Sequence, residues 1–319
     1  KHINTIKEDL EALVDKRLHW TLLTLPILGI VIFTILPLVF MICMAFTSYS
    51  KVGDHLTIFH WVGLKNFSTV LGMGNSIGKT FWSVLGWTLI WAVLATFLNY
   101  ILGMILAIVI NRKTTRIKGF WRFCFMLSAA IPQFVSLLLM RTMLKDNGLI
   151  NNLLVQAGLI SSPLPFLTNA TWARATVVII NLWVGIPFTM MQVTGILQNI
   201  PGELYEAARV DGAGPVTIFF KITLPYMLFV TTPYLITTFT GNINNFNVIY
   251  LLTAGAPVPV GATAGKTDLL VTWLYKLTVD LQYFNVGAVV GILTFVILAV
   301  VSLITYRNTG SYKNEEGFQ

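Results

Sequence analysis

The sequence predicts an all-α polytopic membrane protein with about six transmembrane helices. Of its 319 residues, 55% are hydrophobic and 11% are charged, and the mean hydropathy is +0.75, whereas a soluble domain carries about 25% charged residues. The net charge of +8 suits a protein that lies beside anionic lipid headgroups. The basic residues are scattered over several loops without an aromatic-interleaved patch, which argues against a nucleic-acid partner.

Long runs without charged residues predict the individual spans. Phe81–Ile110 has no charge over 30 positions, enough for a tilted crossing. The run Ile222–Gly265 is too long for one crossing and too short for two, so it predicts one span followed by an apolar loop. The first span follows a charged amphipathic segment, residues 1–19, and has no signal-peptide cleavage site nearby. The predicted spans are 20–46, 81–110, 120–143, 174–198, 222–247 and 282–306.

The distribution of basic residues predicts on which side of the membrane each loop lies. Five Lys and Arg residues fall between Arg112 and Arg122, in the connection between the second and third spans. Because cytoplasmic loops carry an excess of basic residues, this connection is expected to be cytoplasmic. The same orientation places the N-terminus, the loop 201–221 and the tail 307–319 in the cytoplasm.

The loop 201–221 is a short polar interruption whose residues favour a stubby helix. Pro201 and Glu203 suit its first turn, because Pro has no donor to lose there and a carboxylate favours the positive helix end. Gly212 and Pro215 stop the helix after about two turns, too short to cross a bilayer but suited to the groove of a partner. The candidate contact residues are Glu203, Leu204, Tyr205, Glu206, Ala207, Ala208, Asp211 and Gly212.

A second polar patch, Thr240–Asn247, holds four Asn residues within six positions. Each Asn amide has donors and acceptors to satisfy, so these side chains are costly against lipid. Asn242 and Asn245 are three residues apart and would share a helix face, while Gly241 and Pro233 would loosen that helix. Amides beside Phe or Tyr rings suit a sugar. The alternative is that these Asn residues only hold helices together or cap the span.

The fourth span carries another candidate wall, Leu182–Phe188. Pro187 frees a backbone carbonyl and kinks a helix, and Gly185 lets a ligand or another backbone approach. A packed kink explains the same residues equally well. In the last span, Gly287 and Gly291 form a small-x-x-x-small pattern that is typical of helix contacts.

Several functions lack support in the sequence. Two Gly-Lys-Thr triplets, starting at Gly78 and Gly265, resemble the end of a phosphate-binding loop. Met73 and Val260 occupy the position of that loop's first glycine, so neither triplet is expected to bind ATP. No catalytic motif is present. The predicted spans hold almost no ionisable residue, which favours a neutral solute driven from the cytoplasm over an ion-coupled secondary sugar carrier.

The polar loop also carries a specific motif. The pattern Glu206-Ala-Ala-x-x-x-Gly-x9-Ile-x-Leu-Pro225 resembles the EAA loop of binding-protein-dependent ABC importer permeases, and all its spacings match. This resemblance covers residues 76–306, with the span 20–46 as an addition. The segment Asn244–Pro257 is similar to the MalF-type subunit of oligosaccharide importers, in its shorter Gram-positive form.

The resemblance implies a type I ABC importer permease fold, with 201–221 as the cytoplasmic coupling loop. It implies a multi-pass subunit of a bacterial cell-membrane complex that includes a second MalG-type permease, two ATPase subunits holding ATP and Mg, and an extracellular sugar-binding lipoprotein. This chain itself would bind no cofactor and catalyse no reaction. Alternating access would move a neutral oligosaccharide, a maltodextrin first, with galacto- or raffinose-type sugars as alternatives. By similarity, the sugar-contacting positions are Val184, Gly185, Phe188, Asn242 and Asn245.

Overall fold

The protein is almost entirely helical in the computed structural model, which describes residues 18, 20, 22–50, 60–112 and 114–307. Within these residues, five helices are long and apolar enough to cross a membrane, and one bent helix pair makes up to six spans. The all-α class and the number of spans are therefore confirmed. The predicted amphipathic segment and the C-terminal tail lie outside the described residues, apart from Leu18 and Arg307.

The helices are numbered in chain order, and short π-helical turns lie inside α1, α3 and α9 and after α11. The first six are α1 (Leu22–Ala45), α2 (Lys65–Leu71), α3 (Ser76–Asn111), α4 (Lys118–Ala130), α5 (Gln133–Met143) and α6 (Leu149–Gln156). The other six are α7 (Ala170–Asn199), α8 (Gly202–Val210), α9 (Pro215–Ile243), α10 (Phe246–Thr253), α11 (Leu270–Tyr275) and α12 (Phe284–Arg307).

The core of the molecule lies between α3, α7 and the helices around them. Trp91, Leu137 and Ile249 are fully buried in one cluster, which joins α3, α5 and α10 to α7. Tyr100 and Met190 belong to a second cluster between α3, α7 and α9. Lipid tails are as apolar as these side chains, so close packing and interhelical hydrogen bonds hold the spans together rather than exclusion of water.

The glycine pattern in the last span marks a helix contact, as predicted. A Cβ atom added at Gly291 would lie 3.2 Å from Leu274 of α11 and 3.3 Å from the sulfur of Met41 in α1. A Cβ atom at Gly287 would lie 2.5 Å from Thr278. The two glycines therefore let α12 approach its neighbours more closely than larger residues would allow.

The prediction of one continuous span at 120–143 is wrong. The segment forms two helices, α4 and α5, whose axes differ by 84°. Ile131, between them, has an extended backbone with φ −77° and ψ 130°. Pro132 explains the break, because a proline disfavours the helical conformation of the residue before it.

The predicted end of the fifth span is also wrong. Helix α9 ends at Ile243 instead of continuing to residue 247. Asn245 starts the next helix, since its side-chain oxygen accepts a hydrogen bond from the Val248 backbone N–H at 3.2 Å. Asn242 and Asn245 therefore do not share one helix face, and part of the expected loop is the helix α10.

Three other spans begin earlier than predicted. The predictions excluded Lys79 and Lys221 and placed Arg174 at a span's first residue. The helices α3, α7 and α9 begin three to six residues before these charges. Long basic side chains can keep their charge at the membrane surface while their stems lie on an apolar helix. A search for charge-free runs therefore predicts helices that are too short at the membrane interface.

Candidate functional site

The loop 201–221 folds around a short helix, as predicted, and α8 covers Gly202–Val210. Leu204, Ala207 and Val210 recur at three-residue spacing and are all exposed, Val210 to 88%. An exposed apolar stripe on a helix of two turns has the form that inserts into a groove on a partner. Val210 belongs to the predicted docking helix but was absent from the candidate contact residues, although its spacing from Leu204 and Ala207 indicated it.

The other side of α8 is attached to the chain's own span. Tyr205 is half-buried, and its hydroxyl lies 3.2 Å from the hydroxyl of Thr223. Ala208, three residues later, is half-buried as well. Tyr205 thus anchors α8 to α9, and its predicted contact with a partner stays a prediction.

A sharp turn connects α8 to α9. Gly212 has φ +77°, a left-handed conformation in which glycine is strongly favoured. The N–H of Ala213 donates to the carbonyl of Ala208 at 2.9 Å, and the N–H of Gly212 donates to the carbonyl of Arg209 at 3.0 Å. These two bonds are those of a Schellman C-cap. Gly212 therefore ends α8 and sets the direction in which the chain returns to the membrane.

A cavity of about 310 Å³ lies at the break between α4 and α5. Val184, Gly185 and Phe188 of α7 line it together, so the structure gathers three of the five predicted sugar positions. None of the lining residues is ionisable. The polar residues of the lining, which the sequence prediction missed, are Ser128, Gln133, Ser136 and Asn181. Pro132, within an apolar run, was the signal that could have pointed to them.

Gly185 brings α7 against α3, and Phe188 faces more open space. A Cβ atom at Gly185 would collide with the side-chain amide of Asn99. Thr189 also contacts that amide, since its hydroxyl donates to Asn99 Oδ1 at 3.3 Å. Phe188 lines the cavity and is 53% exposed, so its ring is available to a ligand. Gly185 thus serves helix packing and also helps to form the cavity wall.

Asn242 and Asn245 do not line this cavity but belong to a hydrogen-bond network. Asn242 Nδ2 donates to the Thr96 hydroxyl at 2.9 Å, and Asn242 Oδ1 accepts from Asn245 Nδ2 at 3.4 Å. Trp91 Nε1 donates to the Asn242 carbonyl at 3.1 Å. These bonds favour the alternative that Asn242 holds helices together, while the half-buried Asn245 is the more accessible of the two.

Helix α3 connects the two sets of predicted sugar residues. Thr96, which binds Asn242, and Asn99, which contacts Gly185, are three residues apart on α3 and lie on similar sides of it.

No group of three or more His, Cys, Asp or Glu side chains that could hold a metal ion occurs among the described residues.

The family of the chain follows from its sequence. Residues 99–309, well over half of the chain, match the family described as binding-protein-dependent transport system inner membrane component. The chain belongs to this family. The matched region contains α8, its glycine turn and the three α7 positions that line the cavity, so the resemblance based on the loop motif is confirmed.

Two relatives of the permease transport oligosaccharides, by their names. The permease is 36% identical over 319 residues to the galactooligosaccharides transport system permease protein GanP of Bacillus subtilis (strain 168), which covers 99% of this chain and 75% of GanP. It is also 36% identical over 329 residues to the maltodextrin transport system permease protein MdxF of the same organism, covering 98% of this chain and 74% of MdxF.

A solved structure shows the same fold. One chain of a bacterial ABC transporter involved in the import of the acidic polysaccharide alginate matches with a TM-score of 0.71 and 24% identity, covering 93% of the permease and 97% of that chain. The type I permease fold is therefore confirmed. The family match and the two relatives confirm the assignment as a multi-pass permease subunit of an ABC sugar importer. The individual sugar and coupling contacts stay predictions.

Proposed function

We propose that this permease carries a neutral oligosaccharide, a maltodextrin, across the bacterial cell membrane by alternating access. The observation that carries the proposal is the cavity at the α4–α5 break. It combines the Phe188 ring with amides of Gln133 and Asn181 and hydroxyls of Ser128 and Ser136, without an ionisable residue. An apolar platform with a few polar groups suits a sugar ring, and carboxylate sugars would lack the Arg or Lys partners that they need.

Galacto-oligosaccharides are the second candidate substrate. The permease is 36% identical to both GanP and MdxF, so the two relatives favour the two sugars equally. Both classes are uncharged and present hydroxyl groups beside apolar ring faces. The cavity chemistry therefore selects neutral sugar over acidic sugar, and the choice between glucan and galactan requires measurement.

The coupling loop supports a set of partners. A second, MalG-type permease would complete the pathway, and two ATPase subunits would bind ATP and Mg on the cytoplasmic side. The exposed stripe of Leu204, Ala207 and Val210 would enter a groove of one ATPase. An extracellular sugar-binding lipoprotein would deliver the substrate. Both termini and α8 would then be cytoplasmic, in agreement with the basic residues between Arg112 and Arg122.

A panel of sugars tests the substrate. The permease is reconstituted with its MalG-type partner, ATPase and binding protein, and ATP hydrolysis is measured with malto-, galacto- and raffinose-type oligosaccharides and with a uronate oligosaccharide. We expect stimulation by malto-oligosaccharides and none by the uronate. Stimulation by galacto-oligosaccharides alone would identify them as the substrate in place of maltodextrin. Stimulation by the uronate alone would contradict the proposal that the cavity takes a neutral sugar.

Purification of the intact complex tests the class of transporter. We expect an ATPase and a second permease to co-purify with this chain, and uptake to stop when ATP is depleted. Uptake that persists without ATP and follows an ion gradient would instead identify a secondary carrier.

A further inference from the structure

A second cavity, of about 460 Å³, lies at the end of the spans remote from α8. The two Gly-Lys-Thr triplets, far apart in sequence, both contribute to it: Lys79 and Thr80 at the start of α3, and Gly265 and Lys266 in the loop before α11. Arg174, near the start of α7, lines it as well. The fold therefore brings three basic side chains from three segments to one place.

The direction of the helices fixes the side of the membrane on which this cavity lies. Along α7, Arg174 and Asn199 are 25 residues apart, a rise of about 37 Å, and Asn199 lies three residues before the start of α8. Asn111, at the other end of α3 from Lys79, lines a cavity together with Tyr205 of α8. The basic cavity is thus opposite α8 and faces outside when α8 faces the cytoplasm.

The acidic residue of the cavity lining is already neutralised. Asp268 is fully buried, and its carboxylate accepts from Lys276 Nζ at 2.6 Å and from the Gly265 N–H at 2.6 Å. The Thr272 hydroxyl donates to its other oxygen at 2.9 Å. Asp268–Lys276 is the one ion pair among the described residues. Lys79, Arg174 and Lys266 therefore present positive charge to the cavity without a carboxylate from the described part of this chain.

Arg174 is held in position before any ligand binds. Its guanidinium carbon lies 4.4 Å from the centre of the Trp87 ring, and its Nε donates to the Lys266 carbonyl at 2.9 Å. Trp87 is fixed in turn, because its Nε1 donates to the Thr267 carbonyl at 3.2 Å. A guanidinium that stacks on a ring and donates only from Nε keeps its terminal N–H groups for another acceptor. The two oxygens of a carboxylate match the geometry of these N–H groups.

We propose that this cavity receives a carboxylate side chain of the extracellular sugar-binding protein when that protein docks. The inference rests on the proposed function, which supplies a protein partner on this side of the membrane. A cavity of about 460 Å³ admits a protruding Asp or Glu side chain. Three basic groups attract such a residue from a distance and pair with it after contact.

The position of the cavity connects docking to the sugar pathway. Trp87 and Trp91 are one turn apart on α3, and Trp91 donates to the carbonyl of Asn242. Arg174 lies on α7, the helix that also carries Phe188. A carboxylate bound to Arg174 would therefore hold the outer ends of the two helices that line or support the predicted sugar positions.

Charge variants test the proposal on the whole complex in phosphatidylcholine nanodiscs. The double variant Lys79→Gln/Lys266→Gln keeps the Lys266 carbonyl that holds Arg174. Lys145→Gln, an exposed lysine on the same side but outside the cavity, is the matched control. The probe is the sugar-binding protein that stimulates ATP hydrolysis by the wild-type complex, and its Kd is measured at about 50 mM and about 500 mM salt.

We expect the double variant to weaken docking about tenfold at low salt and to flatten its salt dependence. The control should behave as wild type, and basal ATP hydrolysis should stay unchanged in all variants. Lys79→Glu/Lys266→Glu should reverse the trend, so that docking strengthens as salt rises. Arg174→Lys should weaken docking less than Arg174→Gln does, since lysine keeps the charge and loses only the two parallel hydrogen bonds that a guanidinium can donate to a carboxylate.

Three outcomes overturn the proposal and separate it from the function. If wild type docks and the double variant docks equally at every salt concentration, this cavity is not the carboxylate site, and the importer assignment stands. If the double variant docks as wild type in phosphatidylcholine nanodiscs and loses docking only when the nanodiscs contain phosphatidylglycerol, the cavity acts through anionic lipid instead. If no sugar-binding protein docks on wild type, the proposed function fails together with this inference.

Discussion

Helix α8 is the proposed ATPase contact and the cavity at the α4–α5 break is the proposed sugar site, and the two are assembled differently. Helix α8 is nine consecutive residues whose cap, anchor and exposed stripe lie within a single loop and the start of the next span. The cavity takes its walls from α4, α5 and α7. A contiguous site depends on backbone conformation, whereas an assembled site depends on how closely helices approach each other.

The largest expected effect is at the glycine turn after α8. Gly212→Val places a β-branched residue at φ +77°, although a Cβ atom there would meet no other atom within 4 Å. Strain of about 1–2 kcal/mol, more for a β-branched side chain, should change the direction of the turn. We expect uptake to be abolished while membrane insertion remains normal, as measured by sugar uptake and by the amount of permease in membranes.

Gly214→Ala is the control for this turn. Gly214 has φ −74°, and a Cβ atom there also meets no atom within 4 Å. Uptake should therefore stay close to wild type. Normal ATPase-coupled transport by Gly212→Val would remove the account of α8 as a coupling helix.

The next effect tests helix approach at the cavity. Gly185→Ala puts a methyl group into the side-chain amide of Asn99, so α7 must move away from α3 or Asn99 must turn. We expect uptake to fall about tenfold, equivalent to roughly 1.4 kcal/mol. Gly195→Ala on the same helix meets no atom within 4 Å and serves as the control. Equal uptake by both variants would show that this approach is not needed.

A smaller effect is expected at the network beside the cavity. Asn245→Ala leaves the Asn242 side-chain oxygen and the Val248 N–H without the partner that Asn245 supplies. A loss of about 1–3 kcal/mol in stability or transition-state binding should weaken uptake while the ATPase still assembles. Asn244→Ala, an exposed neighbour, is the comparison. Unchanged uptake kinetics in Asn245→Ala would show that Asn245 has only a packing role.

The smallest effect concerns the anchor of α8. Tyr205→Phe removes the hydroxyl that lies 3.2 Å from the Thr223 hydroxyl, while the ring still packs. One hydrogen bond contributes about 0.5–1.5 kcal/mol, so sugar-stimulated ATP hydrolysis should fall about two- to tenfold. Basal hydrolysis and complex assembly should not change. A loss well beyond tenfold would mean that Tyr205 also contacts the ATPase directly.

Local sequence chemistry was sufficient for α8 and for most of the spans. Pro201, Glu203 and Gly212 each act through the backbone of their own helix, so their positions predicted its limits to within one residue. The spans were found because a membrane requires long apolar runs. Their ends were less accurate, since Lys79 and Arg174 lie inside helices that extend beyond them.

The sugar positions show where local reasoning fails. Asn242 and Asn245 were placed on one helix face by their spacing, but the helix ends between them. Whether an Asn faces a ligand or a neighbouring helix depends on which residue lies opposite, here Thr96, which is 146 positions away. Ser128, Gln133 and Ser136 became cavity residues only through the 84° bend at Pro132.

By itself, the sequence determined that the chain crosses a membrane several times and ends the short helix between two spans in a glycine turn, because apolar length and backbone conformation are properties of neighbouring residues. Only the tertiary structure decided which side chains share a cavity. It joined two distant Gly-Lys-Thr triplets beside Arg174 and separated the Asn pair from Phe188. Distances between helices depend on packing among residues far apart in the chain, and no local pattern specifies them.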